Sequence, residues 1–323
     1  SSGEWSNEIT GIGLAHRRLS ILDLSDAGHQ PMESKDRRYM LSFNGEIYNH
    51  QNIRSDLKKD FPGIKWNGTS DSETLLATIQ CYGIEKCFEL IRGMFAIALW
   101  DSELNVLHLA RDRLGEKPLY YGWQGKTFLF GSELKSLRAH PSFLNKINSN
   151  AVNQFIELSY IPQPISIYQD IFKLPSGTVL SVPVENLKPS QTFTPHTYWS
   201  LNSLIEKQEK KLYQKNITEA AMDLDTVLTK SIGTMMEADV PVGAFLSGGI
   251  DSSLITALMQ KQSVNPISTF TIGFEDKHYN ESQHAAKVAS FLETNHTEVI
   301  LQPNQALDVI DKLPHIFDEP FAD

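Results

Sequence analysis

Val240-Pro-Val-Gly-Ala-Phe-Leu-Ser-Gly-Gly-Ile-Asp-Ser-Ser253 sets a short apolar run against a Ser-Gly-Gly turn, an acidic residue and the start of a helix. Val242 to Leu246 reads as a strand buried in a parallel sheet. Gly248 and Gly249 carry no Cβ, so the backbone there can turn sharply and bring its N–H groups close to an anion. Ser252 or Ser253 is the expected cap of a helix running through Leu254, Ile255, Ala257 and Leu258, whose positive end points at the same place. Such a loop suits phosphate.

No Lys-Ser/Thr pair follows the glycines, so this is not the common phosphate loop. It offers the hydroxyls of Ser247, Ser252 and Ser253 and one carboxylate, Asp251, which repels phosphate unless a divalent cation lies between them. Asp251 therefore reads as a magnesium ligand. The plainer alternative is a glycine turn from strand to capped helix, with Asp251 supporting the helix end. The string Ser-Gly-Gly-Ile-Asp-Ser resembles the pyrophosphate loop of ATP pyrophosphatases, which cleave ATP between the α and β phosphates and adenylate a substrate.

The chain has 323 residues, 41% hydrophobic and 21% charged, enough for two globular domains. A net charge of -10, with no offsetting run of Lys and Arg, argues against nucleic acid as a ligand. Glu206 to Lys211 mixes signs and reads as a solvated helix start. No apolar stretch is long enough to span a membrane. Cys81 and Cys87 lack metal-ligand partners and read as reduced helix residues, which suits a cytoplasmic protein. The opening Ser1-Ser-Gly-Glu-Trp5 has no initiator Met, and the chain reads as clipped.

From residue 11 to about 198 the pattern is short strands and turns around two helical patches. Gly13–Leu22, Tyr39–Phe43, Met94–Trp100, Val106–Ala110, Leu119–Gly122 and Phe128–Phe130 read as strands. Ser72–Tyr82, capped by Asp71 or Ser72, and Asn150–Leu158 read as helices. Two packed sheets covered by helices, an α+β layered domain, is the expectation. Pro183–Ser203 is polar and broken by prolines, placing the junction near residue 200, with domains at 1–200 and 201–323. Beyond it a long amphipathic helix from Ile217 to Met235 precedes three strands, Val242–Leu246, Ser268–Phe274 and Thr297–Leu301, separated by helical segments. That order predicts an α/β parallel sheet, which reads as incomplete at three strands.

The first domain gathers polar groups at strand ends: Arg17–Leu22, Asn44–Asn49 and Thr69–Asp71. Singly, each has a plain explanation: Asn44-Gly45 a hairpin turn, Arg18 a surface charge, Asp71 a helix cap. Together they fit an α-amino acid carrying a side-chain amide. Such a ligand needs a guanidinium for its carboxylate, an anion for its ammonium and two donors for the oxyanion formed when the amide is attacked. Arg18, Asp71 and the Asn44 side chain with the Gly45 N–H supply those groups. At this point Arg-Leu-Ser-Ile (18–21), Phe-Asn-Gly-Glu-Ile-Tyr-Asn (43–49), Gly-Met-Phe-Ala-Ile-Ala (93–98), Arg111–Tyr121 and Gly131–Leu137 resemble the glutaminase domain of glutamine-hydrolysing asparagine synthetases. The Ser-Gly-Gly-Ile-Asp-Ser loop and Phe270–Phe274 resemble that family's synthetase domain.

The resemblance implies an N-terminal nucleophile-hydrolase-type αββα layered domain followed by an α/β parallel-sheet, adenine-nucleotide alpha-hydrolase-like domain. It places Arg18, Leu19, Ser20, Ile21, Leu22, Asn44, Gly45, Glu46 and Asp71 around glutamine, with Asn44 and Gly45 as the oxyanion hole. It places Leu246 and Ile272 against adenosine and assigns Ser247, Gly248, Gly249, Asp251, Ser252 and Gly273 to ATP, with Asp251 as a magnesium ligand. It implies L-glutamine, L-aspartate, ATP and Mg²⁺ as ligands, formation of β-aspartyl-AMP, and a homodimer as an assembly it admits. The family's nucleophile is an N-terminal cysteine acting with its own α-amino group. Here residue 1 is Ser1 and neither Cys81 nor Cys87 matches that position, so this stretch is expected not to hydrolyse glutamine by itself. Asp318-Glu-Pro-Phe-Ala-Asp323 resembles a segment near the acceptor pocket, the alternative being an acidic loop. Two other functions stay open: a relative amidating a peptide, a sugar or a β-lactam precursor, and a remnant that binds without turnover.

Overall fold

The computed structural model describes residues 1–209, 211–275 and 280–322. Ser1–Lys210 with Phe317–Asp323 form one compact unit and Lys211–Ile316 a second.

The first unit opens with a hairpin, β1 (Ser2–Asn7) and β2 (Ile12–Arg17), then β3 (Met32–Glu33) and β4 (Tyr39–Ile47). Three helices follow: α1 (His50–Asp60), α2 (Asp71–Tyr82) and α3 (Ile84–Leu90). Next come β5 (Gly93–Asp101), β6 (Val106–Arg111), β7 (Tyr120–Gln124) and β8 (Thr127–Gly131). The unit continues through α4 (Leu134–Arg138), α5 (Ser149–Leu158), β9 (Ile171–Lys173), β10 (Thr178–Pro183), β11 (His196–Thr197) and α6 (Leu201–Gln208). One antiparallel sheet has the order β11-β10-β6-β5-β4-β3, and a smaller one the order β8-β7-β9.

Strand alternation sorts the core into layers. On one face of the large sheet Leu41, Phe43, Phe95, Ile97 and Leu99 pack with Ile53 and Leu57 of α1, Leu75 and Ile79 of α2, and Phe88 of α3. On the other face Met40, Ala96, Ala98, Trp100 and Leu109 meet Leu119 and Leu174, with Tyr121, Phe128 and Phe130 of the smaller sheet. Behind that sheet Tyr120 and Ile171 pack with Leu134 and Leu137 of α4. The order is helix, sheet, sheet, helix, the αββα layering expected. β5 is apolar along nearly its whole length because it is covered on both faces.

The elements differ locally from the sequence reading. The strand expected over Gly13–Leu22 stops at Arg17, because Arg18–Leu22 turns away as a loop. Ser70, not Asp71 or Ser72, caps α2, accepting from the Glu73 amide at 3.2 Å. Helices α1, α3 and α6 escaped the periodicity reading. α1 carries a buried arginine and histidine on its core face, and α3 and α6 are only 7 and 8 residues long. The run from Glu206 therefore lies at a helix end, not a helix start.

Asp112, fully buried just after β6, holds the next loop in shape. Its carboxylate accepts amides of Phe95 (3.1 Å), Leu114 (3.1 Å), Glu116 (2.9 Å) and Lys117 (2.9 Å). Arg111 closes the same loop from outside, donating to the carbonyls of Lys117, Gly115 and Leu174 at 2.7, 2.7 and 2.8 Å.

The second unit comprises α7 (Ile217–Met235), β12 (Gly243–Phe245), α8 (Ile250–Gln262), β13 (Ser268–Phe274), α9 (Ser282–Leu292), β14 (Asn295–Leu301), α10 (Pro303–Ile310) and α11 (Leu313–Ile316). The strands are parallel in the order β12-β13-β14. α7 starts at a capping box between Asn216 and Glu219, as its sequence pattern favours. Ile232 of α7 and Leu258 and Met259 of α8 cover one face with Ile267, while Ala285 and Ala289 of α9 pack on Leu246. The strands are parallel as expected, but these helices lie on one face only: Thr269 and Thr271 are buried there, whereas Phe245, Phe270, Ile272 and Phe274 on the opposite face are exposed, so β12 is not the buried strand its apolar run suggests.

Asp112→Ala would leave four backbone donors facing a void, and at ~1 kcal/mol or more per orphaned donor the first unit loses at least about 3 kcal/mol. Thermal unfolding followed by circular dichroism checks this. A melting temperature within 2–3 °C of wild type, about the shift 1 kcal/mol gives in a domain of this size, would contradict it.

Candidate functional site

Asn44 and Gly45 lie inside β4, not in a hairpin turn, paired with Ala96 and Phe95 of β5. A Cβ on Gly45 would stand 2.1 Å from the Met94 carbonyl oxygen and 2.7 Å from Phe95 Cα, so only glycine lets the two strands approach this closely. The neighbouring Asn44 side chain points the other way and donates from Nδ2 to Ser132 Oγ at 3.0 Å. Glu46, next on the same face as Asn44, is buried.

Asp71 stands directly against the end of this strand. Its Oδ2 accepts the Ile47 amide at 2.9 Å and its Oδ1 the Ser72 amide at 2.8 Å. Burial pushes its carboxyl above the usual range, against the pull of those two amides. The fold thus brings Asn44, Gly45, Glu46 and Asp71 together at one end of β4, although Asp71 lies a helix and a loop away in sequence.

Arg18 is turned onto its own loop. Its guanidinium donates to the carbonyls of Leu22 (2.9 Å), Asp23 (2.6 Å) and Ser25 (3.2 Å). A Cβ on Gly28 would sit 2.0 Å from Arg18 Nη2, so that glycine makes room for the guanidinium. Leu19 is exposed, and Ser20, Ile21 and Leu22 are half-buried.

Two side chains not singled out in the sequence tie this loop to the rest. Asp23 Oδ2 accepts the Thr69 amide at 2.7 Å, and its Oδ1 accepts the Ser25 hydroxyl at 2.5 Å. Gln30 accepts the Phe43 amide at 2.6 Å and donates to Ser72 Oγ at 3.3 Å, bridging β4 and α2. Asp-x-Ser at 23–25 is a local signature of a side-chain turn, a signal that was available. Nothing in the sequence around Gln30 marks it as buried. Below lies Arg54, which donates to Gly68 O, Ser70 O and Thr74 Oγ1 at 2.7–3.1 Å and lies 4.0 Å over the Trp66 ring.

A cavity of about 330 Å³ lined by Ile64, Trp66, Glu73, Leu76, Gln80 and Cys81, among others, contains none of the residues placed around glutamine. Cys81 is half-buried in α2, and Cys87 is fully buried in α3, where burial pushes its thiol up and away from the reactive thiolate.

In the second unit the chain leaves β12 through Leu246 and turns at Gly248, whose φ is +81°. A Cβ there would meet Ala285 N and His284 Cβ at 2.7 Å, so Gly248 supplies both the left-handed backbone and the close packing onto α9. Gly249, not Ser252 or Ser253, is the residue preceding α8, and no side chain caps that helix. The helix starts at Ile250, which puts both serines inside its first turn. Ser252 Oγ instead meets Ser247 Oγ at 2.9 Å and accepts the Ser247 amide at 3.3 Å, bracing the loop.

Asp251 sits exposed in that first turn, beside amides that no side chain occupies. Such an end fits phosphate. Among the described residues no group of three His, Cys, Asp or Glu could hold a metal alone, so a magnesium ion would rest on Asp251 together with phosphate oxygens. Leu246 is buried against α9, Ile272 is exposed, and the space beside Gly273 is filled by Ile300, Asn280 and Ser282.

Residues 1–199 match the glutamine amidotransferase domain model, and residues 223–323 match the asparagine synthase model. The first of these defines the class: a glutamine amidotransferase. A Bacillus subtilis protein named asparagine synthetase (glutamine-hydrolyzing) 1 is 35% identical over all of this chain and 48% of its own length. A Methanocaldococcus jannaschii protein named "Putative asparagine synthetase (glutamine-hydrolyzing) 2" is 36% identical over 97% of this chain and 60% of its own. The chain belongs to the glutamine-hydrolysing asparagine synthetase family, and it spans roughly half to three fifths of those relatives' length. Among the described residues no helix is long and apolar enough to cross a membrane.

Two outcomes follow from this geometry. Burial raises the Asp23 carboxyl, but hydrogen bonds from the Ser25 hydroxyl and the Thr69, Ser25 and Ser70 amides outweigh it and hold the group below its ordinary 3.8. The stabilisation is therefore present at neutral pH and lost as pH falls through the depressed folded value. Asp23→Asn should be less stable than wild type at pH 7, and the difference should shrink as pH falls through the depressed value, read from urea midpoints across pH. Gly248→Ala should destabilise the second unit by about 2 kcal/mol or more, from strained backbone plus the clash with α9. Gly249→Ala, whose new Cβ meets only Ser247 Oγ at 3.3 Å, should be far milder; equal melting of the two variants would refute the packing argument.

Proposed function

We propose that this chain carries the glutaminase half and the start of the synthetase half of an ATP-dependent enzyme that amidates L-aspartate to L-asparagine, with glutamine as nitrogen donor. The observation that carries the reading is the pairing, in one chain, of two sites built around obligatory glycines. One is the Asn44-Gly45 strand beside Asp71; the other is the Gly248-Gly249 turn before an uncapped helix.

In the first site Asp71 takes the ammonium of glutamine and the loop Arg18–Leu22 lies along its carboxylate. The Asn44 side chain, turning from Ser132, and the Gly45 amide receive the oxyanion formed when the amide carbon is attacked. Arg18 contributes chiefly by ordering the loop, since its guanidinium already donates to three carbonyls. The attacking thiol is the N-terminal cysteine expected from the family.

In the second site the first amides of α8 and the hydroxyls of Ser247 and Ser252 hold the β and γ phosphates of ATP. The exposed Ile272 is the apolar side chain offered to the adenosine, Leu246 supporting the loop from beneath against α9. Asp251 would hold Mg²⁺, which would supply charge neutralisation for the departing pyrophosphate. Carboxylate attack on the α-phosphorus releases pyrophosphate and leaves β-aspartyl-AMP, from which ammonia displaces AMP.

In the complete protein Asn44→Ala should lower glutamine hydrolysis by about 10²–10³-fold, the loss of one oxyanion donor, while leaving ammonia-dependent synthesis near wild type. Asp251→Ala should do the reverse, abolishing AMP release with either nitrogen source and keeping glutaminase activity. Glutamine-dependent release of AMP and asparagine by wild type is the primary assay. AMP release only with an acceptor other than aspartate would replace the substrate, and retention of full AMP release by Asp251→Ala would overturn the nucleotide site.

A further inference from the structure

The segment Phe317–Ala322 follows the second unit in sequence, and its residues lie within the stretch matching asparagine synthase, yet it folds with the first unit. Its acidic pair is not a solvated loop. Asp318 spans the start of α4, with Oδ2 accepting the Leu134 amide at 2.7 Å and Oδ1 the Lys135 amide at 3.2 Å. Glu319 Oε1 accepts the Ile167 amide at 2.8 Å, and its Oε2 lies 2.6 Å from Lys173 Nζ. Both partners of this ion pair are largely buried, with side-chain exposures of 15% and 11%. The Lys173 ammonium also donates to Ile161 O. The Ala322 amide donates to Ser159 O at 2.8 Å, where the backbone at the end of α5 is left-handed. Phe317 and Phe321 meet edge to face at 4.4 Å, folding the segment on itself.

We propose that Phe317–Ala322 is a docking latch and Lys173 its receptor, and that the state of this segment is read by the strand pair of the glutamine site. Two carboxylates each satisfied by backbone amides, one of them also paired with a buried ammonium, make a seat that recognises an acidic dipeptide in one register. A surface ion pair would show no such burial.

The seat connects by contiguous contacts to β4. Lys173 ends β9 and pairs with Tyr120 of β7. The next residue, Leu174, accepts from Arg111 at 2.8 Å, and Arg111 clamps the Gly115–Lys117 loop. That loop hangs on the Asp112 carboxylate, which also holds the amide of Phe95, the partner of Gly45. Lys173 is a positioning residue in this arrangement: it touches no substrate, and it sets whether the segment is seated. A seated latch keeps the glutamine site in its ordered form, and an unseated one releases β9 and the Arg111 loop. The docking stands on these contacts alone; its effect on turnover rests on the functional reading above.

The test compares wild type, Lys173→Met and Lys173→Arg in the complete protein by amide hydrogen exchange. Lys173→Met leaves Glu319 buried without its cation. It should raise exchange about tenfold at Ile167 and equally at Leu134 and Lys135, which are bonded to Asp318 and not to Lys173's partner. Lys173→Arg should restore protection at all three. Faster exchange at Ile167 alone, or no change at any of them, would overturn the latch.

The second arm measures glutamate released per AMP formed with Mg-ATP and aspartate present. With the glutamine site no longer held in its ordered form, Lys173→Met should lower that ratio at least about threefold while ammonia-dependent AMP formation stays at wild-type level. An unchanged ratio would overturn the coupling, whereas a wild type that forms no AMP at all would overturn the functional reading and the coupling with it, leaving the docking to be decided by exchange.

Discussion

The close approach of β4 and β5 at Gly45 and Phe95 is the constraint on which the first unit depends. With 2.1 Å between the Met94 carbonyl oxygen and the place a Cβ would occupy, the ladder closes only if residue 45 has no side chain. Closure aligns Phe43, Phe95, Ile97 and Leu99 on the helix face and Ala96, Ala98 and Trp100 on the face of the smaller sheet. Shifting the pairing by one residue would exchange the two faces and unpack both layers. The same alternation turns Asn44 away from the helices, where its Nδ2 donates to Ser132 Oγ. Core packing and site geometry are therefore one fact, fixed at one residue.

Around that strand pair several buried carboxylates are saturated by backbone amides. Asp112 gathers four amides, Asp71 two, and Asp23 ties the loop after β2 to the entrance of α2. Carboxylates serve here as preformed acceptors for backbone groups that a loop cannot satisfy by itself. Such a frame holds loops as rigidly as strands, which is what the proposed glutamine site over residues 18–22, 44–46 and 71 requires. The loop glycines of the second unit work by another route. Gly248 supplies a backbone angle and a place for α9 to pack, and the turn then hands its free amides to the start of α8.

Much of this was legible in the chain. β13 and α7 run over the residues their patterns indicate, and the strand–loop–helix around Gly248 stands where expected, because period and glycine placement are local signals. The helix caps were misjudged by one to four residues: Ser70 in place of Asp71, Gly249 in place of Ser252. Several hydroxyls compete for each role, and only the three-dimensional start of the helix selects one. α1 was missed because buried Arg54 and His50 interrupt its apolar stripe. The Arg54 charge becomes tolerable inside once Gly68, Ser70 and Thr74 accept from the guanidinium and Glu73 pairs with it at 3.5 Å.

By itself the sequence determined the layering of the first unit, the parallel strand–helix order of the second, the turn at Gly248 and the membership of the family, since each follows from local periodicity or from motif strings. Only the tertiary structure decided which partners the polar groups take. It turned Arg18 onto its own loop, set Asp71 on the Ile47 amide, placed Gln30 between β4 and α2, and seated Asp318 and Glu319 on a surface more than 140 residues earlier in the chain. A hydrogen-bonding group carries no label naming its partner; burial makes the pairing obligatory, and the fold alone determines which donors and acceptors are buried together.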